Sequence, residues 1–342
     1  MTWADEEKIA TGVRTMLEVN MGWRPGERLL VVTDVPRPED WATQPLPALT
    51  GMLERAVLAR QVAEIARRIR PEGVVDFVVY PATGGHGAEP PADLAARLLQ
   101  ADVVIALTTY SLSHTDAREA ATQAGVRLAS MPGFLAEMFY PDGPMAVDYR
   151  QVAAEAEAIA RQLTDAREAR VRSPAGTDIS FSLAGRAGMA DTGLYLQRGE
   201  WGNLPAGEAY TAPVEGTADG VLVVQAGWHP DLTEEMRLVF RAGQVVEVVG
   251  GGRVGEELRR FLRPGDDGPP YTARRNLAEL GVGTNPNARR PDNILEAEKI
   301  RGTVHIAIGD NAHMGGLVTA DFHEDFVIPQ AELWLDGRRV LG

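Results

Sequence analysis

Val103-Val104-Ile105-Ala106-Leu107 is an unbroken apolar run in the first half of the chain. A short run of this kind, with no polar alternation, is typical of a strand that is covered on both faces of its sheet. Two similar runs, Leu29–Val32 and Val74–Tyr80, come before it, and Val126–Ala129 follows it. The four runs therefore predict strands of one buried sheet.

Helical segments separate these strands. Leu58, Val62, Ile65 and Ile69 recur at spacings of four, three and four residues, which places them on one face of a helix. Further helices are predicted before and after the third strand. Strands that alternate with helices indicate a parallel sheet with right-handed crossovers. A long helix, Gln151–Arg167, ends this half.

The second half has a different pattern. Apolar and polar residues alternate along Ile179–Leu183, and Leu238–Val249 predicts a hairpin that turns at Ala242-Gly243-Gln244. We predict an N-terminal parallel-sheet α/β domain at residues 1–168. A C-terminal β-rich α+β domain follows at residues 169–342.

Composition excludes several functions. The formal net charge of −14 disfavours nucleic acid and anionic membrane surfaces as partners. The chain has no cysteine, so disulfides, thiolate zinc sites and a cysteine nucleophile are excluded. The N-terminal residues lack the features of a signal peptide, and no apolar run is long enough to span a bilayer. We therefore expect a cytoplasmic protein that has no membrane partner.

Histidines and carboxylates cluster near the C-terminal end. In His323-Glu324-Asp325, a strand would place His323 and Asp325 on one face, where an imidazole and a carboxylate form half of a divalent-metal site. His305 interrupts the apolar strand Val304–Ile308. A buried imidazole needs a partner, and both a metal ion and a backbone carbonyl remain open.

Two glutamates complete the set of candidate ligands. Glu279 lies in an apolar stretch and needs a cation, which a metal ion or a nearby arginine, Arg274 or Arg275, could supply. Glu208 lies in a loop that proline and glycine residues hold in a fixed shape. Together the five candidate metal ligands suit a two-metal site with a shared carboxylate. They are Glu208, Glu279, His305, His323 and Asp325.

Four segments resemble the motifs of the M29 (aminopeptidase T-type) metallo-aminopeptidases, in the same order. They are Asn203–Pro213, Leu277–Asn285, His305–Gly309 and His323–Asp325. The resemblance implies that all five candidates bind metal, with two divalent ions (Zn, Co or Mn), and it implies a homodimer. It also implies removal of N-terminal residues from peptides by a metal-activated water. Glu279 or Glu208 could carry a proton in this reaction as well as bind metal.

The chain departs from this family in its N-terminal half, which shows no clear match, and at one position of the second half. A tyrosine seven residues after the strand histidine is replaced by Ala312, and His313 stands beside it as a candidate catalytic residue. The related dihydroxypyridine ring-cleaving dioxygenases, which bind a single Fe(II), are the alternative. In that case His305, His323 and Asp325 would form a facial triad, and the substrate would be a small aromatic molecule.

Overall fold

The apolar runs of the first half form a parallel sheet in the computed structural model, which describes residues 4–342. Its strands are β1 (Leu29–Val35), β2 (Val75–Pro81), β3 (Val103–Ala106), β4 (Arg127–Ser130) and β8 (Trp201–Asn203). They lie in the order β2-β1-β3-β4-β8, and every pair is parallel. The predicted parallel α/β arrangement is therefore confirmed.

Helices precede the first strand of this sheet and connect the later ones. They are α1 (Glu6–Thr15), α2 (Asp40–Thr43), α3 (Leu46–Ile69), α4 (Ala92–Leu98) and α5 (Asp116–Gln123), with a π-helical turn at Met16–Asn20 and a 3-10 turn at Ala136–Phe139. Helix α3 buries Leu58, Val62 and Ile65 on one face, as their spacing predicts. Thr115 caps the N-terminus of helix α5, because its hydroxyl accepts the Arg118 N–H at 3.1 Å.

Two antiparallel sheets form the second half. The seven-stranded sheet has the order β12-β11-β10-β6-β5-β16-β17, and the five-stranded sheet has the order β15-β14-β13-β9-β7. The strands are β5 (Glu168–Arg172), β6 (Asp178–Ser182), β7 (Met189–Asp191), β9 (Glu208–Thr211), β10 (Asp219–Val224), β11 (Met236–Arg241), β12 (Gln244–Gly250), β13 (Leu277–Gly283), β14 (Val304–Gly309), β15 (His323–Ile328), β16 (Glu332–Leu335) and β17 (Arg338–Leu341). The helices are α6 (Tyr149–Asp165), α7 (Gly252–Leu262), α8 (Tyr271–Arg274) and α9 (Ile294–Ala297), with a 3-10 turn at Ala312–Met314.

One hydrophobic core joins these two sheets. Leu222 and Leu238 of the seven-stranded sheet are fully buried in the same cluster as Leu280, Ile306 and Phe326 of the five-stranded sheet. The predicted hairpin is also confirmed: β11 and β12 pair across Ala242 and Gly243, whose φ angles of 46° and 77° are typical of a tight hairpin turn.

The chain divides into two compact units. The first extends to Arg150 and also includes Gly193–Ala206, whereas the second consists of Gln151–Thr192 and Gly207–Gly342. The predicted domains, 1–168 and 169–342, were continuous stretches of chain. The units differ from them because strand β8 pairs with β4 and so belongs to the first unit. Within residues 4–342, no helix is both long and apolar enough to cross a membrane.

Candidate metal centre

Every strand of the five-stranded sheet places an acidic side chain or a histidine in one cluster. We call this group the donor cluster. It consists of Asp191 on β7, Glu208 on β9, Glu279 on β13, His305 on β14, and His323 and Asp325 on β15. The five predicted metal ligands, which lie far apart in sequence, are therefore brought together. Their role as ligands remains a prediction.

The strand register explains why these side chains meet. Asp191 pairs with Glu208, and Glu208 pairs with Gly283. Ala307 on β14 lies between Glu279 on β13 and Asp325 on β15. Side chains alternate between the two faces of a strand. One face therefore carries the donors, while Leu280, Ile306 and Phe326 on the other face fill the core.

Small residues make room for the donors. Gly281 pairs with His305, and a Cβ on Gly281 would lie only 1.8 Å from the imidazole Nε2. Ala307 fills the position between Glu279 and Asp325. The prediction that Glu208 lies in a loop is wrong, because Glu208 is the first residue of strand β9. Tyr210 and Thr211, which follow it, are residue types that favour a strand.

The donors form two groups that share one carboxylate. Donor atoms of Glu208, Glu279 and His305 lie within 4.8 Å of one another, and so do those of Glu279, His323 and Asp325. His305 Nε2 is 3.3 Å from Glu208 Oε2 and 3.4 Å from Glu279 Oε1. His323 Nε2 is 3.2 Å from Glu279 Oε2 and 3.8 Å from Asp325 Oδ2.

The two histidines differ in what holds their second nitrogen. His323 Nδ1 lies 2.7 Å from the carbonyl oxygen of Asp310 and therefore donates its proton there. That leaves Nε2 facing the carboxylates, where it can carry a proton or bind a metal ion, and a second nitrogen held in this way is usual for metal-binding histidines. His305 Nδ1 is buried without a hydrogen-bond partner.

The electrostatics of the cluster demand positive charge. Burial works to lower the pKa of His305, but the Glu279 and Glu208 carboxylates raise it to about 9. Burial likewise opposes the charge on His323, yet Asp325 and Glu279 hold its pKa well above the ordinary value. Burial raises the pKa of Glu208, and Lys299 and His305 only partly offset this. A cation among these oxygens, either a proton or a metal ion, relieves their mutual repulsion.

A metal ion also fits the unsatisfied atoms. Glu208 Oε2 and Asp325 Oδ1 are buried without a hydrogen-bond donor. Carboxylate oxygens that lack a donor are costly to bury, and a divalent ion would satisfy them. The arginine alternative for Glu279 is wrong, because Arg274 pairs with Asp321, and Arg275 donates to backbone carbonyls and pairs with Asp267.

Sequence reasoning missed Lys299 and Asp310. Lys299 is 1% exposed, and its ammonium nitrogen lies 2.5 Å from Glu208 Oε1. Asp310 accepts the His323 proton through its backbone, and its carboxylate Oδ2 lies 2.6 Å from His313 Nδ1. Lysine is scarce in this arginine-rich chain, so the lysine itself was the available signal, although it stands among the charged residues Glu298 and Arg301. No sequence signal indicated the backbone contact of Asp310.

The fold and the cluster together define an α/β protein with a candidate metal centre of imidazole and carboxylate groups. The chain belongs to the NicX family, described as 2,5-dihydroxypyridine 5,6-dioxygenase, whose family model matches residues 23–342. A 2,5-dihydroxypyridine 5,6-dioxygenase from Pseudomonas putida KT2440 is 28% identical over 265 residues, which cover 72% of this chain and 71% of the relative.

Two solved structures share the fold. The 2,5-dihydroxypyridine dioxygenase from Pseudomonas putida KT2440 has a TM-score of 0.72 at 20% identity, covering 98% of this chain and 96% of the other. Wild-type AmpT from Thermus thermophilus has a TM-score of 0.63 at 18% identity, covering 98% and 97%. The wider resemblance to aminopeptidase T-type proteins is thus supported at the level of the fold.

The expected aminopeptidase activity is wrong. The family match over residues 23–342 and the curated relative both carry the name of a dioxygenase, so the terms hydrolase and protease do not apply. The error has a physical cause, because the same carboxylate and imidazole donors suit a hydrolytic metal and a redox-active one. The expected homodimer and cytoplasmic location stay predictions.

Proposed function

We propose that this protein is a metal-dependent dioxygenase that opens the ring of a dihydroxypyridine. The family match over residues 23–342 carries this proposal, and the 28% identical relative has the same name. Support within the molecule comes from the donor cluster, whose imidazoles and carboxylates are ligands that iron accepts.

Glu279, His323 and Asp325 are the residues that we assign to the metal. Their donor atoms form one of the two compact groups, and His323 is oriented by the Asp310 carbonyl in the manner of a metal-bound histidine. His305, His323 and Asp325, the triad considered from sequence, do not form such a group among the described residues. Fe(II), when bound, supplies the redox chemistry through which dioxygen reacts with an aromatic ring.

We assign His313 to proton transfer. Its Nδ1 donates to the Asp310 carboxylate at 2.6 Å, and this leaves Nε2 as the nitrogen that accepts a proton. The ring centres of His313 and His323 are 5.4 Å apart. A substrate hydroxyl beside His323 would therefore have a base nearby. Glu279, which faces both imidazoles of the cluster, is assigned to the metal and not to proton transfer.

The reaction that the relative's name describes needs no external reductant. The bond between ring carbons 5 and 6 breaks, and the two carbons take up the two oxygen atoms of one O2 molecule. The electrons that reduce O2 come from the ring, so the ring is the only reductant. The requirements on the protein are to hold the ring, remove its hydroxyl proton and exclude competing reactions.

Oxygen consumption tests the proposal. Metal-free protein is loaded with Fe(II) without air and mixed with 2,5-dihydroxypyridine in an oxygen-electrode cell. We expect one O2 consumed per ring lost, and two ¹⁸O atoms in the product when ¹⁸O2 is used. Asp325→Asn should abolish this uptake, whereas Glu324→Gln should retain it. Loss of the ring without O2 uptake, or no reaction with any dihydroxypyridine, would reject the proposal.

A further inference from the structure

Lys299 is an unusual residue in this chain. Only two of the 34 basic side chains are lysines, Lys8 and Lys299. Lys8 is exposed, whereas Lys299 is 1% exposed. Lysine is almost never buried completely unless it is paired. The buried cation at this position is therefore an ammonium group, although the basic residues of this chain are otherwise almost all arginines.

Three carboxylates surround this ammonium. The Lys299 Nζ lies 2.5 Å from Glu208 Oε1, 2.8 Å from Glu298 Oε1 and 3.8 Å from Asp191 Oδ2. The ammonium therefore lies among carboxylate oxygens at this end of the donor cluster.

The charge lies beside one donor group. Glu208 uses Oε1 for Lys299 and directs Oε2 toward His305, within the first donor group. A divalent ion in that group would be repelled by an ammonium that shares the same carboxylate. The donors of the second group are Glu279, His323 and Asp325. The ion pairs of Lys299 are with Asp191, Glu208 and Glu298 and include none of these donors.

We propose that Lys299 is a built-in cation that neutralises the Asp191–Glu208–Glu298 side of the cluster and so limits the centre to one divalent ion. This inference rests on the metal centre proposed above. It assigns the single ion to the Glu279–His323–Asp325 group. His305, whose Nδ1 lacks the hydrogen-bond partner that orients His323, is then a residue of the charge network.

A lysine suits this position better than an arginine. An ammonium is a compact charge with three donors, whereas a guanidinium is a planar fork that needs more space. Without the ammonium, three carboxylates and His305 would form an oxygen-rich site. Hard divalent cations such as Mn²⁺ prefer such oxygen ligands. Removal of Lys299 should therefore create a second metal site.

Metal stoichiometry tests this inference without any activity measurement. The unaltered protein, stripped of metal, is titrated with Mn²⁺ by calorimetry, and its metal content is measured by elemental analysis. We expect one ion per chain. Two ions per chain in the unaltered protein would overturn the inference, whether or not any variant folds.

Lys299→Met is the informative variant, and Lys8→Met is its matched control. We expect two Mn²⁺ ions per chain in Lys299→Met, a thermal midpoint that Mn²⁺ raises more than in the unaltered protein, and one ion in Lys8→Met. A folded Lys299→Met that binds one ion would contradict the inference. So would a Lys299→Met that stays unfolded with Mn²⁺ present, because the ion should replace the ammonium.

The two proposals can fail separately. One Mn²⁺ per chain in the unaltered protein with two in Lys299→Met supports the role of Lys299 even if 2,5-dihydroxypyridine is not a substrate. Conversely, dioxygenase activity in a protein that binds two ions would reject the role of Lys299 alone.

Discussion

Gly281 on β13 lies opposite His305 on β14, and the imidazole occupies the space that a Gly281 side chain would fill. A Cβ at this position would lie 1.8 Å from His305 Nε2 and 2.2 Å from its Cε1. No real structure contains contacts this short, so any larger residue would displace the ring. Gly281 is therefore required for space, and no unusual backbone angle is involved.

Gly281→Ala tests this steric requirement. The displaced His305 imidazole would disturb Glu208 and Glu279, so we expect metal affinity to fall by about 10–100-fold, the effect of losing a supporting group around a metal. Calorimetric titration of metal-free protein measures the change. Gly51→Ala is the control, because a Cβ on Gly51 meets no atom within 4 Å. Equal affinity in the two variants would contradict the requirement.

Asp325→Asn should weaken metal binding by more than the loss of a supporting group, beyond about 100-fold. Asp325 Oδ1 is buried without a donor, and an amide cannot offer the same charge to a cation. Glu324→Gln is the matched control on the same strand, because Glu324 pairs with His229 at 2.7 Å and is outside both donor groups. Equilibrium dialysis against Fe(II) under argon compares the two variants.

Asp310→Asn should separate metal binding from catalysis. The backbone carbonyl that orients His323 remains in this variant, whereas the carboxylate that holds His313 is lost. We expect normal metal content and a kcat about 100-fold lower, at the low end of the usual contribution of a general base. The measurements are iron per chain and the rate of oxygen uptake. Loss of iron would show that the carboxylate, too, supports the metal.

Asp34 in the first unit should make stability depend on pH. It is fully buried, and burial raises its pKa above 3.8, although the N–H groups of Thr109 and Tyr110 oppose this. A folded-state pKa above the unfolded value means that ionising Asp34 destabilises the fold. The stability from this group is therefore greatest at low pH and is lost as pH rises through the folded pKa.

Asp34→Asn removes this titration. The thermal midpoint of the variant, relative to that of the unaltered protein, should rise between about pH 4 and pH 7, because only the unaltered protein loses stability by ionisation there. A constant difference over this range would contradict the prediction. Asp102→Asn controls for general effects of removing a carboxylate.

Leu238→Ala should destabilise the second unit by about 2–5 kcal/mol, the usual cost of deleting a buried leucine side chain. Leu238 is fully buried in the core between the two antiparallel sheets. Leu317→Ala is the control, because that side chain is 83% exposed. Urea unfolding, followed by tryptophan fluorescence, measures both. A cost below 1 kcal/mol for Leu238→Ala would show that the core adapts to the cavity.

Local sequence patterns were enough to predict the fold class. Apolar runs such as Val103–Leu107 and the hairpin at Ala242-Gly243 depend on residues close together in the chain, where periodicity and turn preference act. Local patterns could not predict that Trp201–Asn203 forms the edge strand of the parallel sheet. It is a three-residue strand whose pairing with β4 depends on contacts more than 70 residues away in sequence.

The candidate site was predictable in its members but not in its chemistry. A histidine inside an apolar strand and a glutamate in an apolar stretch indicate buried charge wherever they occur, so His305 and Glu279 were identified. The reaction was not, because the same donors serve hydrolytic and oxidative metals. Lys299, the buried cation of the cluster, is 91 residues from its partner Glu208, so no local pattern indicated that the two side chains meet.

The segment Gly193–Ala206 belongs to the first unit although part of the second unit precedes it in the chain, and this has a consequence for biosynthesis. The parallel sheet lacks its edge strand β8 until residue 203 has left the ribosome, although β4 ends at Ser130. By then helix α6 and strands β5 to β7 of the second unit have already emerged. Translation at about 5–20 residues per second leaves several seconds in which β4 is an uncovered sheet edge. A nascent chain stalled before residue 203 has left the ribosome should depend on chaperones more than one stalled after residue 206 has left it.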